Sequence, residues 1–237
     1  MTDFIEYYKH YDEDGRLERH PTEFFVTTFL LDSLISPTAV ILDVAGGTGK
    51  YAFYYAEKGH SVTLRDAVKK HIDLAQESIS RLGIKNVCAK VGDARDLRDI
   101  AAKSHDVVLF MGPAYHLWMQ ELRIAIAESL RVLKNKGILV VAYVNQYDGW
   151  KDDKYTGHLI FRSGEEMLKI MGFFPLELLY HIATDGPVYQ EVTELLEGDC
   201  GDGRRCHGWM QENHRILRES IGLEACIHGL MVAQNTQ

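Results

Sequence analysis

Between residues 40 and 145, short apolar runs alternate with amphipathic stretches of helical period. Strands that alternate with helices of this length favour a parallel sheet covered by helices on both faces, and right-handed crossovers fix the handedness of each unit. We therefore expect an α/β domain built on such a sheet. The predicted strands are 40–44, 61–64, 86–91, 106–110 and 138–143, and the predicted helices are 51–58, 69–82 and 121–133.

The flanking sequences carry weaker patterns. Pro21 precedes a helical pattern, and a helix therefore begins near it. Glycine-rich breaks separate the patterns in the last third of the chain. Outside the central region the predicted helices are 23–35 and 165–172, the predicted strands are 176–180 and 228–233, and a helical insertion is predicted over 188–218.

Composition and charge narrow the classes of partner. The 237 residues carry a net charge of −8, which repels nucleic acid on average, so no nucleic-acid partner is expected. No apolar run approaches the roughly 20 residues of a membrane span, and the N-terminus lacks the apolar region of a signal peptide. The four cysteines are too scattered for a disulfide framework. We expect a cytoplasmic protein with reduced thiols and no membrane contact.

A glycine-rich loop follows the first predicted strand. It reads Ala45-Gly46-Gly47-Thr48-Gly49 and comes directly after Asp43-Val44. Glycines remove Cβ atoms, so the backbone can approach a ligand closely, and the helix that follows directs its N-terminal amides at that ligand. A simple strand-to-helix turn is the alternative interpretation, but such a turn does not need three glycines in four residues.

Two aspartates follow the second and third strands. Asp66 can accept both ribose hydroxyls of an adenosine ligand, and Asp93 can accept from an adenine amino group while Ala94 offers its backbone amide. Each aspartate alone could instead cap the next helix. Both aspartates and the glycine loop fall outside the carboxyl ends of strands, where ligands bind in open α/β sheets. The set therefore favours an adenosine-binding site.

These motifs, taken in order, are similar to those of a known family. The Asp-x-Ala-x-Gly-x-Gly motif at 43–49, Asp66, the Gly-Asp-Ala sequence at 92–94 and the stretch 130–137 resemble class I S-adenosylmethionine-dependent methyltransferases. The sequence Gly-Pro-Ala-Tyr-His-Leu at 112–117 and the tyrosine-rich N-terminus resemble a bacterial small-molecule group with a Gly-Pro-x-Tyr-His-Leu motif. The first glycine of the loop motif is replaced by alanine in this chain.

The resemblance implies a Rossmann-like three-layer sandwich. Its seven-stranded sheet is mostly parallel with an antiparallel last strand, and it carries an N-terminal helical lid and a helical insertion before the last strand. The implied organisation is one methyltransferase domain over 1–237, with the lid and first helix in 1–36, the cofactor-binding core in 37–145, and substrate-side elements and final strands in 146–237. The sequence leaves the oligomeric state open.

The resemblance also implies S-adenosyl-L-methionine as the cofactor and a small molecule as the methyl acceptor. The cofactor-binding residues that it implies are Asp43, Ala45, Gly46 and Gly47 for the methionine part, Asp66 for the ribose, Ala67, Asp93 and Ala94 for the adenine, Met111 beside the sulfonium, and Tyr11 and Arg16 in the lid.

Methyl transfer from a sulfonium requires mainly orientation and exclusion of water. A base is needed only where the acceptor carries a proton. Tyr115 and His116 are the predicted catalytic residues and His158 is a further candidate; simple packing is the alternative for Tyr115 and His116. The spacing of Cys200 and Cys206 does not fit zinc.

Three other functions remain as alternatives at this point. A non-catalytic S-adenosylmethionine-binding relative would keep the same aspartates. An RNA methyltransferase would share the fold but is disfavoured by the negative charge. A nicotinamide-dependent oxidoreductase normally shows a Gly-x-Gly-x-x-Gly loop, which the sequence at 45–50 fits poorly.

Overall fold

The computed structural model describes residues 4–11, 15, 21–145, 159–186 and 226–237. Six helices and seven strands lie in these ranges. The helices are α1 (Phe4–His10), α2 (Pro21–Asp32), α3 (Lys50–Glu57), α4 (Lys69–Leu82), α5 (Met119–Val132) and α6 (Gly164–Met171). The strands are β1 (Val40–Val44), β2 (Ser61–Asp66), β3 (Val87–Val91), β4 (His105–Phe110), β5 (Leu133–Val144), β6 (Leu176–Ala183) and β7 (His228–Asn235), and a 3₁₀ turn spans Pro113–Tyr115.

Several features singled out in the sequence lie outside the described residues. They are the insertion predicted over 188–218, the lid residue Arg16, the candidate base His158, and the cysteine pair Cys200 and Cys206.

The strands form one sheet in the order β3-β2-β1-β4-β5-β7-β6. Neighbouring strands from β3 to β5 pair in parallel, and β7 pairs antiparallel with both β5 and β6. The predicted seven-stranded, mostly parallel sheet with an antiparallel last strand is confirmed. The strand order reverses at β1 and β4, and this is the point at which open α/β sheets bind ligands.

Two apolar cores cover the two faces of the sheet. On one face α2, α3 and α4 contribute buried residues such as Leu30, Tyr55 and Ile72. On the other face α5 and α6 contribute residues such as Ile126 and Met167. Helices on both faces produce three layers, as predicted. Among the helices in the described ranges, none combines the length and apolarity that a membrane crossing requires.

One boundary differs from the prediction in an informative way. The strand predicted to begin at residue 138 begins at Leu133, directly after α5. The register between β4 and β5 jumps from His105↔Leu133 to Val107↔Ile138, so the intervening residues bulge out of the ladder. Gly137 therefore lies within an irregular strand, although the sequence indicated a break before the strand.

Candidate cofactor and active site

The loop between β1 and α3 turns by means of left-handed backbone conformations. Ala45 has φ +62°, Gly47 φ +59° and Gly49 φ +97°. Glycine adopts such values without penalty, whereas a residue with a Cβ is strained there. The backbone amide of Gly46 donates to the carbonyl of Arg65 (3.1 Å), which ties the loop to the end of β2. The sequence motif is thus a rigid turn, and Ala45 carries backbone strain in it.

The side chain of Asp43 packs against this loop at Gly46. It is buried, and neither carboxyl oxygen has a hydrogen-bond partner among the described residues. Burial, and next to it the charge of Asp66, raises the pKa of Asp43 to about 7. A Cβ atom on Gly46 would lie 2.5 Å from Cδ1 of Leu64 and closer still to the Asp43 carboxyl group. Asp43 therefore acts on the loop through packing rather than through hydrogen bonds.

Asp66 lies at the end of β2 and is held by backbone amides. Its Oδ2 accepts from the amide of Gly47 (2.9 Å) and its Oδ1 accepts from the amide of Val68 (2.8 Å). The first of these bonds joins the carboxylate to the glycine loop. The carboxylate is nearly buried but lines the cavity at this edge of the sheet.

Sequence reasoning missed His71 and Tyr8. His71 lies in the first turn of α4, with Nδ1 3.2 Å from Oδ1 of Asp66. The Tyr8 ring packs edge-on against both His71 (5.5 Å between centroids) and His116 (5.4 Å). The Tyr8 hydroxyl is also 3.1 Å from Nε2 of His116. The signals that could have identified them are the position of His71 just after Asp66 and the N-terminal tyrosines.

Asp93 forms a tight ion pair with Arg95. The Arg95 guanidinium donates to both carboxylate oxygens (2.9 and 2.6 Å) and also contacts Glu121. Burial raises the pKa of Asp93, but the hydrogen bonds from Arg95 outweigh it, so the net shift is downward. The carboxylate is therefore ionised and oriented, as an acceptor for an amino group must be.

The segment after β4 is clamped by a buried arginine. Arg162 donates to the carbonyl of Ala114 and, at 2.7 Å, to that of Leu117. The Tyr115 hydroxyl donates to the carbonyl of Met111 (3.0 Å). These bonds hold Tyr115 and His116 in place at the wall of the cavity.

A cavity lies between these elements. The structure brings most of the predicted site residues together around it. Asp43, Gly46 and Met111 are absent from its lining, while Gly112 follows Met111 and lines it. Tyr11 stacks on Tyr7 at 5.2 Å. The predicted residues that line the cavity are Ala45, Gly47, Asp66, Ala67, Asp93, Ala94, Tyr115 and His116.

The fold and this site together define a class of α/β proteins that bind an adenosine-containing ligand at the strand-order reversal. The residues present fit such a ligand, because three features meet at one cavity. They are the strained loop backbone, the oriented carboxylate of Asp66, and Nε2 of His71, which has no hydrogen-bond partner among the described residues. Residues 41–137 match a protein family described as a methyltransferase domain. They form an S-adenosyl-L-methionine-dependent methyltransferase domain, and S-adenosyl-L-methionine is the cofactor.

Comparison with solved structures supports the fold over nearly the whole chain. The cyclase SpnF is 21% identical with a TM-score of 0.63, and the match covers 90% of this chain and 80% of the SpnF chain. A putative sarcosine dimethylglycine methyltransferase from Galdieria sulphuraria is 15% identical with a TM-score of 0.62, and the match covers 99% of this chain and 91% of that protein. A geranyl diphosphate methyltransferase is 17% identical with a TM-score of 0.62, and the match covers 92% of this chain and 79% of that protein. No curated protein sequence matches this chain.

Proposed function

We propose that this chain transfers a methyl group from S-adenosyl-L-methionine to an O, N or S atom of a small-molecule acceptor. The observation that carries the proposal is the composition of the cavity. The adenosine-type residues Asp66 and Asp93 line the same cavity as Tyr115 and His116. A small acceptor seated beside Tyr115 and His116 would lie next to the cofactor.

The chemistry asks little of the protein beyond position. When bound, S-adenosyl-L-methionine supplies a methyl group that is already activated on a sulfonium. The clamp from Arg162 and the bond from Tyr115 to Met111 fix the cavity wall at Tyr115, and such preorganisation is worth roughly 7–11 kcal/mol of a barrier in the best cases. The His116 imidazole accepts a proton where the acceptor is a hydroxyl or an ammonium group.

The geometry of Tyr8 supports the predicted N-terminal lid. Tyr8 lines the cavity, and its ring packs edge-on against both His71 and His116. Tyr8 therefore connects α1 to both histidines, and closure by this helix would exclude water from the methyl-transfer step. Tyr11 belongs to the same lid through its stacking on Tyr7.

Two features favour a small acceptor. Two of the structurally similar proteins are named for small-molecule acceptors, geranyl diphosphate and sarcosine or dimethylglycine. The net charge of −8 disfavours RNA. The similarity to SpnF, which is named as a [4+2]-cyclase, keeps a second candidate in view, since one fold can support different reactions.

Transfer of a radiolabelled methyl group from S-adenosyl-L-methionine tests the proposal. The purified chain is incubated with pools of small amines, alcohols, thiols and carboxylates, and separately with total RNA. Product in a small-molecule pool, lost in His116→Gln or Tyr115→Phe proteins that remain folded, supports it. Label only in RNA, or binding of S-adenosylhomocysteine without transfer to any pool, contradicts it.

A further inference from the structure

The hydrogen bonds of Asp66 limit what its carboxylate can still accept. An ionised carboxylate offers about four acceptor positions, two on each oxygen. Oδ1 receives the Val68 amide (2.8 Å) and faces Nδ1 of His71 (3.2 Å), and Oδ2 receives the Gly47 amide (2.9 Å). Among the described residues, these contacts leave one position, on Oδ2. A ribose presents two hydroxyl groups, so Asp66 can serve only one of them.

His71 contacts the same carboxylate, with Nδ1 3.2 Å from Oδ1. Its side chain is 4% exposed and lines the same cavity as Asp66. Because the carboxylate can only accept, the proton of a neutral imidazole lies on Nδ1 and Nε2 is left as an acceptor. Nε2 is buried and has no hydrogen-bond partner among the described residues. A buried polar atom without a partner is costly, and at a cavity wall a ligand is the natural source of the partner.

We propose that His71 is a cofactor-binding residue that shares the ribose with Asp66. One ribose hydroxyl donates to the remaining position on Oδ2 of Asp66, and the other donates to Nε2 of His71. The assignment rests on the same cofactor as the proposed function, but it does not depend on the acceptor.

Tyr8 packs against the same imidazole. Nε2 of His71 is buried, and the Tyr8 ring lies edge-on against the imidazole at 5.5 Å between centroids. A ribose hydroxyl reaches Nε2 when the Tyr8 ring is displaced from the imidazole while α1 stays closed over the bound cofactor. Binding of the cofactor is therefore coupled to the position of the Tyr8 ring.

Two substitutions distinguish the roles of the two ring nitrogens of His71. The amide of an asparagine at position 71 reaches about as far as Nδ1 and retains the contact with Asp66, whereas that of a glutamine reaches as far as Nε2. If His71 serves only to position Asp66, His71→Asn should weaken cofactor binding less than His71→Gln does. If Nε2 binds the ribose, His71→Gln should weaken it less. His71→Leu removes both contacts.

The experiment measures binding of S-adenosylhomocysteine and of its 2′-deoxy and 3′-deoxy forms by calorimetry. Wild-type protein is expected to bind both deoxy forms more weakly than the parent, since each lacks one contact. His71→Asn is expected to weaken the parent by about 2–12-fold, the range of one neutral hydrogen bond. In His71→Asn, one deoxy form should bind with the same affinity as S-adenosylhomocysteine, because the contact that it lacks is already lost. The other deoxy form should still bind more weakly than S-adenosylhomocysteine. His71→Gln should recover part of the affinity that His71→Asn loses.

Several results would overturn the assignment. One is an affinity for S-adenosylhomocysteine that is unchanged in His71→Asn. Another is that both deoxy forms still bind more weakly than S-adenosylhomocysteine in that variant. A third is a wild-type protein that binds one of the deoxy forms as tightly as S-adenosylhomocysteine. The last result needs no variant, so it stands even if a substitution fails to fold. A wild-type protein that binds no S-adenosylhomocysteine overturns both this assignment and the proposed function. One that shows the expected binding pattern but transfers no methyl group overturns the proposed function alone.

Discussion

The carboxyl group of Asp43 lies directly beneath the α-carbon of Gly46, at a separation that leaves no room for a Cβ atom. The glycine is therefore required by the packing under the loop, in addition to any approach of a ligand from above. This relationship joins the end of β1 to the turn that shapes the cofactor cavity.

Gly46→Ala should displace the loop and lower the free energy of unfolding by about 2–3 kcal/mol, the cost of overpacking a buried position. Affinity for S-adenosylhomocysteine should fall with it. Gly83→Ala is the control, because Gly83 follows α4, does not line the cavity, and a Cβ there meets nothing within 4 Å. Its φ of +66° costs about 1 kcal/mol or slightly more. Equal cofactor affinity in the two variants would contradict the argument.

Asp43 should make stability depend on pH. Its pKa is raised from 3.8 to about 7 in the folded protein, so the folded state binds more protons than the unfolded state between these values. The free energy of unfolding therefore falls as pH rises from about 4 to 7, by on the order of 4 kcal/mol from this group. Asp43→Asn should lack this component. Urea unfolding at intervals across that pH range measures the difference between the two proteins, and a constant difference would refute it.

Ala45→Gly should relieve strain. A left-handed φ costs an alanine about 1–2 kcal/mol, while glycine loses about 0.5–1 kcal/mol through the entropy of the unfolded chain, so a net gain of about 0.5–1 kcal/mol is expected. Ala94→Gly is the control, because Ala94 lines the same cavity and is not among the residues with positive φ. In thermal unfolding, the melting temperature should rise in Ala45→Gly and fall in Ala94→Gly.

Arg162 should stabilise the part of the cavity wall that holds Tyr115 and His116, through the carbonyls of Ala114 and Leu117. Arg162→Met leaves these buried carbonyls without donors and should lower the free energy of unfolding by about 2–4 kcal/mol. Arg162→Lys keeps a positive charge but not the two-pronged geometry, and should recover only part of the loss. Full recovery in the lysine variant would show that charge alone matters.

Tyr8 should affect ligand binding through its ring and its hydroxyl separately. Tyr8→Phe removes the contact with His116 (3.1 Å) and keeps the packing on His71, whereas Tyr8→Ala removes both. Limited proteolysis of the N-terminal segment should be slowed by S-adenosylhomocysteine in wild type and in Tyr8→Phe, but not in Tyr8→Ala. Equal protection of all three proteins would exclude Tyr8 from the lid.

The sequence alone determined the parts of this protein that depend on local rules. Apolar periodicity predicted the strands and helices, and the ends of α4 at Lys69 and Leu82 agree with it, because short-range propensities and the Gly83 cap define them. The positions of Asp66 and Asp93 after parallel strands were sufficient to place both at one cavity, since the carboxyl ends of parallel strands share one edge of the sheet.

Only the tertiary structure decided how those residues are used. Packing buries Asp43 under Gly46, and the backbone amides of Gly47 and Val68 occupy much of Asp66. The contacts of His71 and Tyr8 join elements that are far apart in the chain. Burial and hydrogen-bond saturation depend on those distant neighbours, and no local pattern records them.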